Sequence, residues 1–252
     1  ACRSGRPGDA KAAHLVTAAA PLLDVRDLVK DYQALRPLRI KALTLAPGDI
    51  LAVHGLDAVG AETFVHLVTG ATLPDAGDIA LFGQNTRAIA DGETWLKSLD
   101  GVGMVTSRGI VIQMFTVLQN IAMSFTLEVD PIDPAVLPQA AALAREVGLP
   151  AAAFDMPTGN MPADVHMRIH LARALALGPR LLIAEHPSAT IPRDSVAAFG
   201  ADLSRLARSR GLGLLALTED EALARAIGGQ RLELVPATGE LRPPSLLKRL
   251  FG

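Results

Sequence analysis

The sequence predicts an α/β fold built around a parallel β-sheet. The first observation is a set of short, continuous apolar runs that are typical of strands buried on both faces, at 50–54, 181–184 and 212–218. The second is that helical patterns separate these runs, which implies parallel strands joined by right-handed crossovers. The third is the length of 252 residues, enough for one large domain or two small ones with a substantial core.

The first third of the chain predicts strands around one helix. Residues 22–29 and 38–45 alternate apolar and polar side chains, as half-exposed strands do, with a turn-like stretch between them. The buried strand at 50–54 is followed by a helical pattern from Glu62 to Val68. Residues 74–83 predict a turn and another short alternating strand.

The rest of the chain predicts a helical middle between buried strands. A short helix is expected around Trp95–Leu99, and a buried strand at 101–106. From about 108 to 175, Ala- and Leu-rich segments have helical spacing and are separated by Pro and Gly. A long amphipathic helix of about 16 residues is predicted from Asp194. Residues 231–242 indicate a closing hairpin.

Composition excludes several classes of protein. The 24 basic and 26 acidic residues give a formal net charge of −2, which argues against binding a nucleic-acid backbone. A single cysteine, Cys2, excludes an internal disulfide framework and a Cys-based metal cluster. No apolar run reaches the roughly 20 residues that cross a bilayer. We therefore expect a soluble, intracellular protein with no nucleic-acid partner and no membrane span.

Two glycines indicate a phosphate-binding loop. Gly55 and Gly60 follow the buried strand at 50–54 with the G-x-x-x-x-G spacing of a P-loop. A working loop then needs Lys for the terminal phosphates and Ser or Thr for Mg²⁺. Ala61 and Glu62 occupy those two positions. Taken alone, the spacing indicates an ordinary tight turn equally well.

Further landmarks resemble the nucleotide-binding domain of ATP-binding-cassette (ABC) transporters. In colinear order, from about Leu22 to Arg242, the similar segments are PDAGDIALFGQ, TVLQNIAM, HLARALALGPRLLIAEHPSA and LALTEDEALA. The resemblance implies a P-loop NTPase-like RecA core, an antiparallel β-subdomain and a helical subdomain at about 108–175. It places the cassette at 21–242. The small, basic and polar residues at 1–20 indicate a flexible N-terminal tail, and 243–252 form a C-terminal tail.

The family's polar working positions are mostly changed. The Q-loop glutamine falls on Ser107, and the signature motif falls on Met161–Val165, which lacks its serine and glycines. The Walker B aspartate becomes Glu185, a tolerable Mg²⁺ ligand. The catalytic glutamate and the switch histidine fall on His186 and Glu219. The resemblance therefore implies an ABC-type ATPase whose catalytic residues are replaced, which leaves its status as an enzyme open.

ATP and Mg²⁺ are the cofactors that the resemblance implies, and we predict that their binding is weak or absent. Ala61 cannot contact a phosphate, and Glu62 repels one. Glu62 in the first turn of its helix is expected to replace the phosphate; the alternative is a solvent-facing side chain. Thr63 remains serviceable, and Tyr32 lies at the family's adenine-stacking position, although packing between strands is an equal alternative.

Histidines next to carboxylates raise the alternative of a metal site. Glu185, His186 and Glu219 form one such set, but the ABC resemblance already explains their positions. His166 and His170 share one helical face without an evident third ligand. We expect ordinary histidines and no dedicated metal site.

We therefore predict an ABC-transporter cassette subunit with weak or lost ATP binding and hydrolysis. Its expected partners are a membrane permease and a second cassette, in a homo- or heterodimer. The alternatives are an active ATPase that energises transport and a soluble scaffold. The expected location is the cytoplasm or, peripherally, the inner face of the membrane. The residues expected to contact the permease are Ser107 to Phe115 and the following helix, with Met114, Phe115, Leu118 and Met123 as apolar contacts.

Overall fold

The computed structural model describes residues 20–244 as two sheets with flanking helices. Its strands are β1 (Leu23–Lys30), β2 (Leu38–Leu45), β3 (Ile50–His54), β4 (Ala76–Leu81), β5 (Gln84–Asn85), β6 (Val102–Thr106), β7 (Leu181–Glu185), β8 (Gly213–Leu217), β9 (Gln230–Val235) and β10 (Glu240–Arg242). Its helices are α1 (Ala58–Val68), α2 (Gly92–Leu99), α3 (Val117–Ala122), α4 (Leu137–Glu146), α5 (Ala163–Leu175), α6 (Arg193–Arg210) and α7 (Glu221–Ile227). Cys2 and most of the two predicted tails lie outside the described residues.

The larger sheet has the order β10-β9-β3-β8-β7-β6, and all of its strands except β10 run parallel. This confirms the parallel sheet that the sequence predicts. The smaller sheet, β2-β1-β4-β5, is antiparallel. Because parallel strands end at one edge, the residues after β3, β6, β7 and β8 come together there. This is the edge at which ligands bind in open α/β sheets.

The larger sheet separates two apolar cores. Leu51 and Val53 of β3 face a core that contains Phe64 of α1 and the inner side of the antiparallel sheet. Ala52, between them, faces the second core, which contains Phe199 of α6 and the helices α3 to α5. The alternation follows from the two-residue period of a strand, and it explains why every residue of β3, β7 and β8 is buried.

Helices α3 to α5 lie inside the range 108–175, and the subdivision of the cassette there stays a prediction. Asn120 joins this region to the loop before α3. Its buried side chain accepts a hydrogen bond from the amide of Ile112 at 2.9 Å and donates one to the carbonyl of Ile112 at 3.0 Å. The loop that leaves β6 therefore has a fixed path over α3.

Three helices begin earlier than the sequence predicts. The carboxylates of Asp57 and Asp91 cap the N-termini of α1 and α2, so these helices start at Ala58 and Gly92. The helix predicted from Asp194 starts one residue earlier and has 18 residues, ending before Gly211, whose φ is +66°. Between residues 20 and 244, no helix is both long and apolar enough to cross a membrane.

Candidate functional site

The phosphate-loop segment has the expected strand–turn–helix shape, but a carboxylate of the protein binds one of its amides. Gly55 has a φ of +90°, and a side chain there would lie 2.7 Å from the carbonyl oxygen of Leu234, so only glycine fits. The Asp57 carboxylate accepts a hydrogen bond from the amide of Gly60 at 2.7 Å. A helix N-terminus binds phosphate through such amides. Here a carboxylate of the protein already uses this one.

The expectation that Glu62 replaces the phosphate in the first turn is wrong. Helix α1 starts at Ala58, so Glu62 lies in the second turn, and the first turn holds no acidic residue. Asp57 takes the capping position instead. Ala61, at the position of the phosphate-binding lysine, is fully buried in the core. The Thr63 hydroxyl donates a hydrogen bond to the carbonyl of Val59 at 2.8 Å, within the helix.

A second carboxylate reaches the loop from the neighbouring strand. The backbone amide of Gly55 donates a hydrogen bond to Oε1 of Glu219 at 2.6 Å. Glu219 follows β8 and occupies the switch-histidine position. Two amides that face the loop, those of Gly55 and Gly60, are therefore both bound to carboxylates of the protein.

A cation from the protein lies between two acidic residues of the site. Nη2 of Arg108 donates hydrogen bonds to both oxygens of Glu185, at 2.8 and 2.7 Å. Nη1 of Arg108 forms an ion pair with Glu62. Partial burial alone would lower the pKa of Arg108, but its hydrogen bonds to Glu185 and Glu62 outweigh this effect and raise the pKa. Glu62 and Glu185 occupy the positions where the resemblance places Mg²⁺ ligands, and a guanidinium joins them.

His186 follows Glu185 in an unusual backbone conformation. Its φ is +41°, and its amide donates a hydrogen bond to the carbonyl of Leu217 at 2.8 Å. Its Nε2 is buried without a hydrogen-bond partner among residues 20–244. The residue lines an open cavity of about 590 Å³ together with Ser188, Arg193 and Glu219. The family's catalytic carboxylate is thus replaced by an imidazole that carries no negative charge.

Tyr32 lies beside the phosphate loop, and its role as an adenine-stacking residue stays a prediction. It lines a cavity of about 510 Å³ with Pro37, Asp57 and Leu234. Burial, and then the charge of Asp57, raise the pKa of the Tyr32 hydroxyl. A pocket of this size could hold a planar group, and the carboxylate of Asp57 forms part of its wall.

Ser107 and the signature position lie on two other elements. Ser107 is half-buried in the turn after β6. Residues 161–165 lead into α5 and form its first turn. The N-cap residue, Pro162, gives no side-chain cap, and Asp164 lies in the first turn. A carboxylate in the first turn offsets the positive end of the helix dipole, so this helix end disfavours an approaching phosphate.

The two histidines of α5 contact the backbone and do not point to a common ligand. Nε2 of His166 is 2.8 Å from the carbonyl oxygen of Thr158. Burial, with the charges of Arg173 and His166, lowers the pKa of His170 to about 4. Within residues 20–244, no group of three His, Cys, Asp or Glu side chains is arranged to hold a metal ion.

Sequence reasoning missed Arg108 and Asp57. A signal for Arg108 existed: two glutamates at positions that normally share one Mg²⁺ need a cation, and Arg108 directly follows Ser107. Asp57 also had a signal, because an aspartate before a helical run is a typical N-cap.

The residues of this site do not fit a Mg²⁺–triphosphate. The amides of Gly55 and Gly60 already bind carboxylates, and Glu62 with Glu185 already bind a guanidinium. A triphosphate would therefore meet negative charge where it needs hydrogen-bond donors, and Mg²⁺ would meet a cation.

Comparison with known proteins supports the assignment of the fold. A family model described as ABC transporter matches residues 38–189. The chain is 28% identical over 211 residues to the lipoprotein-releasing system ATP-binding protein LolD of Geobacter metallireducens, covering 82% of this chain and 93% of that protein. It is 26% identical over 209 residues to LolD of Acinetobacter baylyi, covering 81% and 91%.

Solved structures share the same architecture. CbiO1 from Clostridium perfringens, part of the ABC transporter complex cbiONQ, superimposes with a TM-score of 0.73 at 18% identity, covering 92% of this chain and 90% of that one. The ATP-binding cassette MJ0796, in a dimeric structure bound to ADP and Pi, superimposes with a TM-score of 0.69 at 19% identity, covering 89% and 98%. The family model covers more than half of the sequence, and the chain therefore belongs to the ABC transporter family.

Proposed function

We propose that the chain is a cassette subunit of an ABC transporter in which ATP binding and hydrolysis are weak or lost. The observation that carries the proposal is the Arg108 guanidinium between Glu62 and Glu185. It supplies from within the protein the positive charge that the family obtains from Mg²⁺ and a lysine.

Energetic arguments support weak binding. A triphosphate lacks the lysine contact at Ala61, and a hydrogen bond to a charged group contributes about 1.5–3 kcal/mol. It would also displace Asp57 from Gly60 and Glu219 from Gly55, or be repelled by them. Repulsion from one carboxylate at about 4 Å reaches about 4 kcal/mol at an effective dielectric near 20. Since each 1.4 kcal/mol is about tenfold in affinity, ordinary micromolar binding would weaken to about millimolar or beyond.

The replaced residues also argue against hydrolysis. A general base must lie within hydrogen-bond reach of the attacking water. His186 has its Nε2 buried, and Glu219 is engaged by the amide of Gly55. Neither residue is therefore free to orient a water molecule at a γ-phosphate.

We propose that three exposed apolar side chains, Ile110, Met114 and Met156, form the patch that contacts the permease; their exposed fractions are 78, 80 and 53%. Met114 lies in the turn before α3 and Met156 in a bend. The two segments meet where Thr116 bridges to Pro157 and the amide of Val117 donates a hydrogen bond to the carbonyl of Met156 at 3.2 Å. Exposed methionines make adaptable contacts with a partner. A helix of a membrane permease is the partner that we propose for this patch.

The other expected contact residues pack inside the protein. Leu118 is buried, and Phe115 and Met123 are partly buried against the core of α3 to α5. Of the four apolar contacts expected from the sequence, only Met114 is exposed. The permease contact is therefore proposed for the loop before α3, not for the face of α3 itself.

We further propose that a second cassette, the same chain or another, pairs with this one at the inner face of the membrane. The dimeric MJ0796 structure supports pairing by analogy. Asp164 at the start of α5 would face the partner's phosphate site, as the family's signature motif does. Its charge disfavours a phosphate there as well.

Phosphate release from MgATP tests the proposal. The purified chain is compared with Glu185→Gln, which removes the Walker B carboxylate. We expect equal rates at the background of the assay, because the native chain has no catalytic carboxylate to lose. Release by the native chain that clearly exceeds that of the variant would restore the active ATPase as the better description.

A further inference from the structure

The cation position of the site is filled by a residue of a loop, not of a strand or helix. Arg108 follows β6 and pairs with Glu62 of α1 and Glu185 of β7. The Glu185 side chain is only 5% exposed, so without the guanidinium it would be a buried charge with no counter-ion. The buried carboxylate of Glu185 thus requires a counter-ion, and Arg108 of the loop after β6 provides it.

The next two residues of the loop contact α5. Gly109 lies against His170 so closely that a methyl group on it would be 2.5 Å from Cε1 of the ring. The carbonyl of Ile110 accepts a hydrogen bond from Nη1 of Arg173 at 2.8 Å. Because the pKa of His170 is about 4, its ring is neutral at physiological pH and packs on the loop without a charge.

We propose that Arg108 is a latch that holds α3 to α5 in one orientation on the sheet core, without nucleotide or divalent cation. Residues 108–110 touch the core and α5 in immediate succession, and consecutive Cα atoms are only about 3.8 Å apart. Helix α5 also shares an apolar core with β7. The Arg108 ion pairs and the Gly109 and Ile110 contacts add a polar link that must break before α5 can move relative to β7. The inference rests on the proposed function in one respect, that Arg108 and not nucleotide-bound Mg²⁺ fills the cation position.

The latch is tested by distance measurement in the full chain. Spin labels are attached at Ala42→Cys on β2 and Ala142→Cys on α4, both exposed, in a Cys2→Ser background. Pulsed electron paramagnetic resonance gives the distance distribution with EDTA, with Mg²⁺ and with MgATP. We expect one distribution that none of these additions changes.

Removal of the positive charge of Arg108 should change that distribution. Arg108→Gln should shift or broaden it, whereas Arg108→Lys, which keeps a cation, should stay close to the parent. Lys97→Gln removes an exposed ion pair with Glu93 within α2 and serves as the control without effect. If Arg108→Gln does not fold, the double variant Arg108→Gln/Glu185→Gln, which also removes the buried carboxylate, takes its place.

Two results would overturn the latch. A distribution in the Arg108 variant equal to that of the parent would mean that the α5 contacts alone hold the loop. A parent distribution that moves on addition of MgATP would mean that nucleotide sets the orientation. ATP calorimetry on the same samples separates the two proposals. Tight ATP binding at an unchanged distance contradicts the proposed function and leaves the latch intact, whereas no binding with a parent-like Arg108→Gln contradicts the latch alone.

Discussion

The carboxylate of Glu219 accepts a hydrogen bond from the amide of Gly55 at 2.6 Å, across 164 positions of sequence. This bond joins the residue after β8 to the first glycine of the phosphate loop after β3. With Asp57 on the amide of Gly60, it leaves two amides of the loop bound to the protein's own carboxylates. The site is thus shaped for an anion and already holds internal ones.

Asp57 should stabilise the empty loop. Replacing an N-cap aspartate with alanine costs about 1 kcal/mol, within a range of about 0.5–2. We expect Asp57→Ala to lower the free energy of unfolding by this amount, and Asp57→Asn, which can still accept the hydrogen bond, to lower it less. Urea denaturation of the three proteins measures both effects. Equal stability of Asp57→Ala and the native chain would show that Asp57 does not stabilise the loop.

Glu62 should stabilise the protein through Arg108 and not through the helix dipole. Glu62→Lys places two cations side by side, and we expect a loss of about 1 kcal/mol in the free energy of unfolding. In the Arg108→Gln background the same substitution should cost clearly less, since the neighbouring cation is gone. A double-mutant cycle measures this coupling. Equal costs in both backgrounds would show that the ion pair contributes nothing.

The lowered pKa of His170 should make the folded protein less stable in acid. Its pKa is lowered to about 4 in the folded protein, from 6.5, so between these values the unfolded state binds more protons. Its contribution is therefore complete above pH 6.5, falls as the pH drops toward 4 and levels off below. We expect His170 to lower the free energy of unfolding by about 1–2 kcal/mol across this window. This is less than the free energy that corresponds to the whole pKa shift, because the ring is partly exposed. The pH profile of His170→Phe should be flatter over this window, and an unchanged slope would contradict the assignment.

Met114 should contribute to binding of a permease and not to the stability of the fold. Because its side chain is 80% exposed, Met114→Glu should leave the thermal midpoint within a few degrees while reducing co-purification with a co-expressed permease. The matched variant Leu118→Glu buries a charge and should instead destabilise the domain by several kcal/mol. Unfolding of Met114→Glu would place Met114 in the core. If retention and stability both survive, the soluble scaffold becomes the better description.

Local sequence patterns were enough to predict the fold but not the site. The strand predicted at 38–45 matches β2, because alternation of apolar residues is a property of neighbouring positions. Arg108 and Glu185 are 77 residues apart, and their contact depends on β6 and β7 ending side by side. Motif positions identified Glu62, Glu185 and Glu219 as changed. Which side chains compensate for these changes depends on the three-dimensional arrangement of the loops.

Calorimetric titration of ATP in the presence of Mg²⁺, at physiological salt, measures whether the phosphate loop still binds nucleotide. Asp57→Ala/Glu219→Ala is the comparison, since it frees the amides of Gly55 and Gly60. We expect no binding tighter than about millimolar for the native chain and tighter binding for the double variant. A micromolar dissociation constant for the native chain would contradict this expectation.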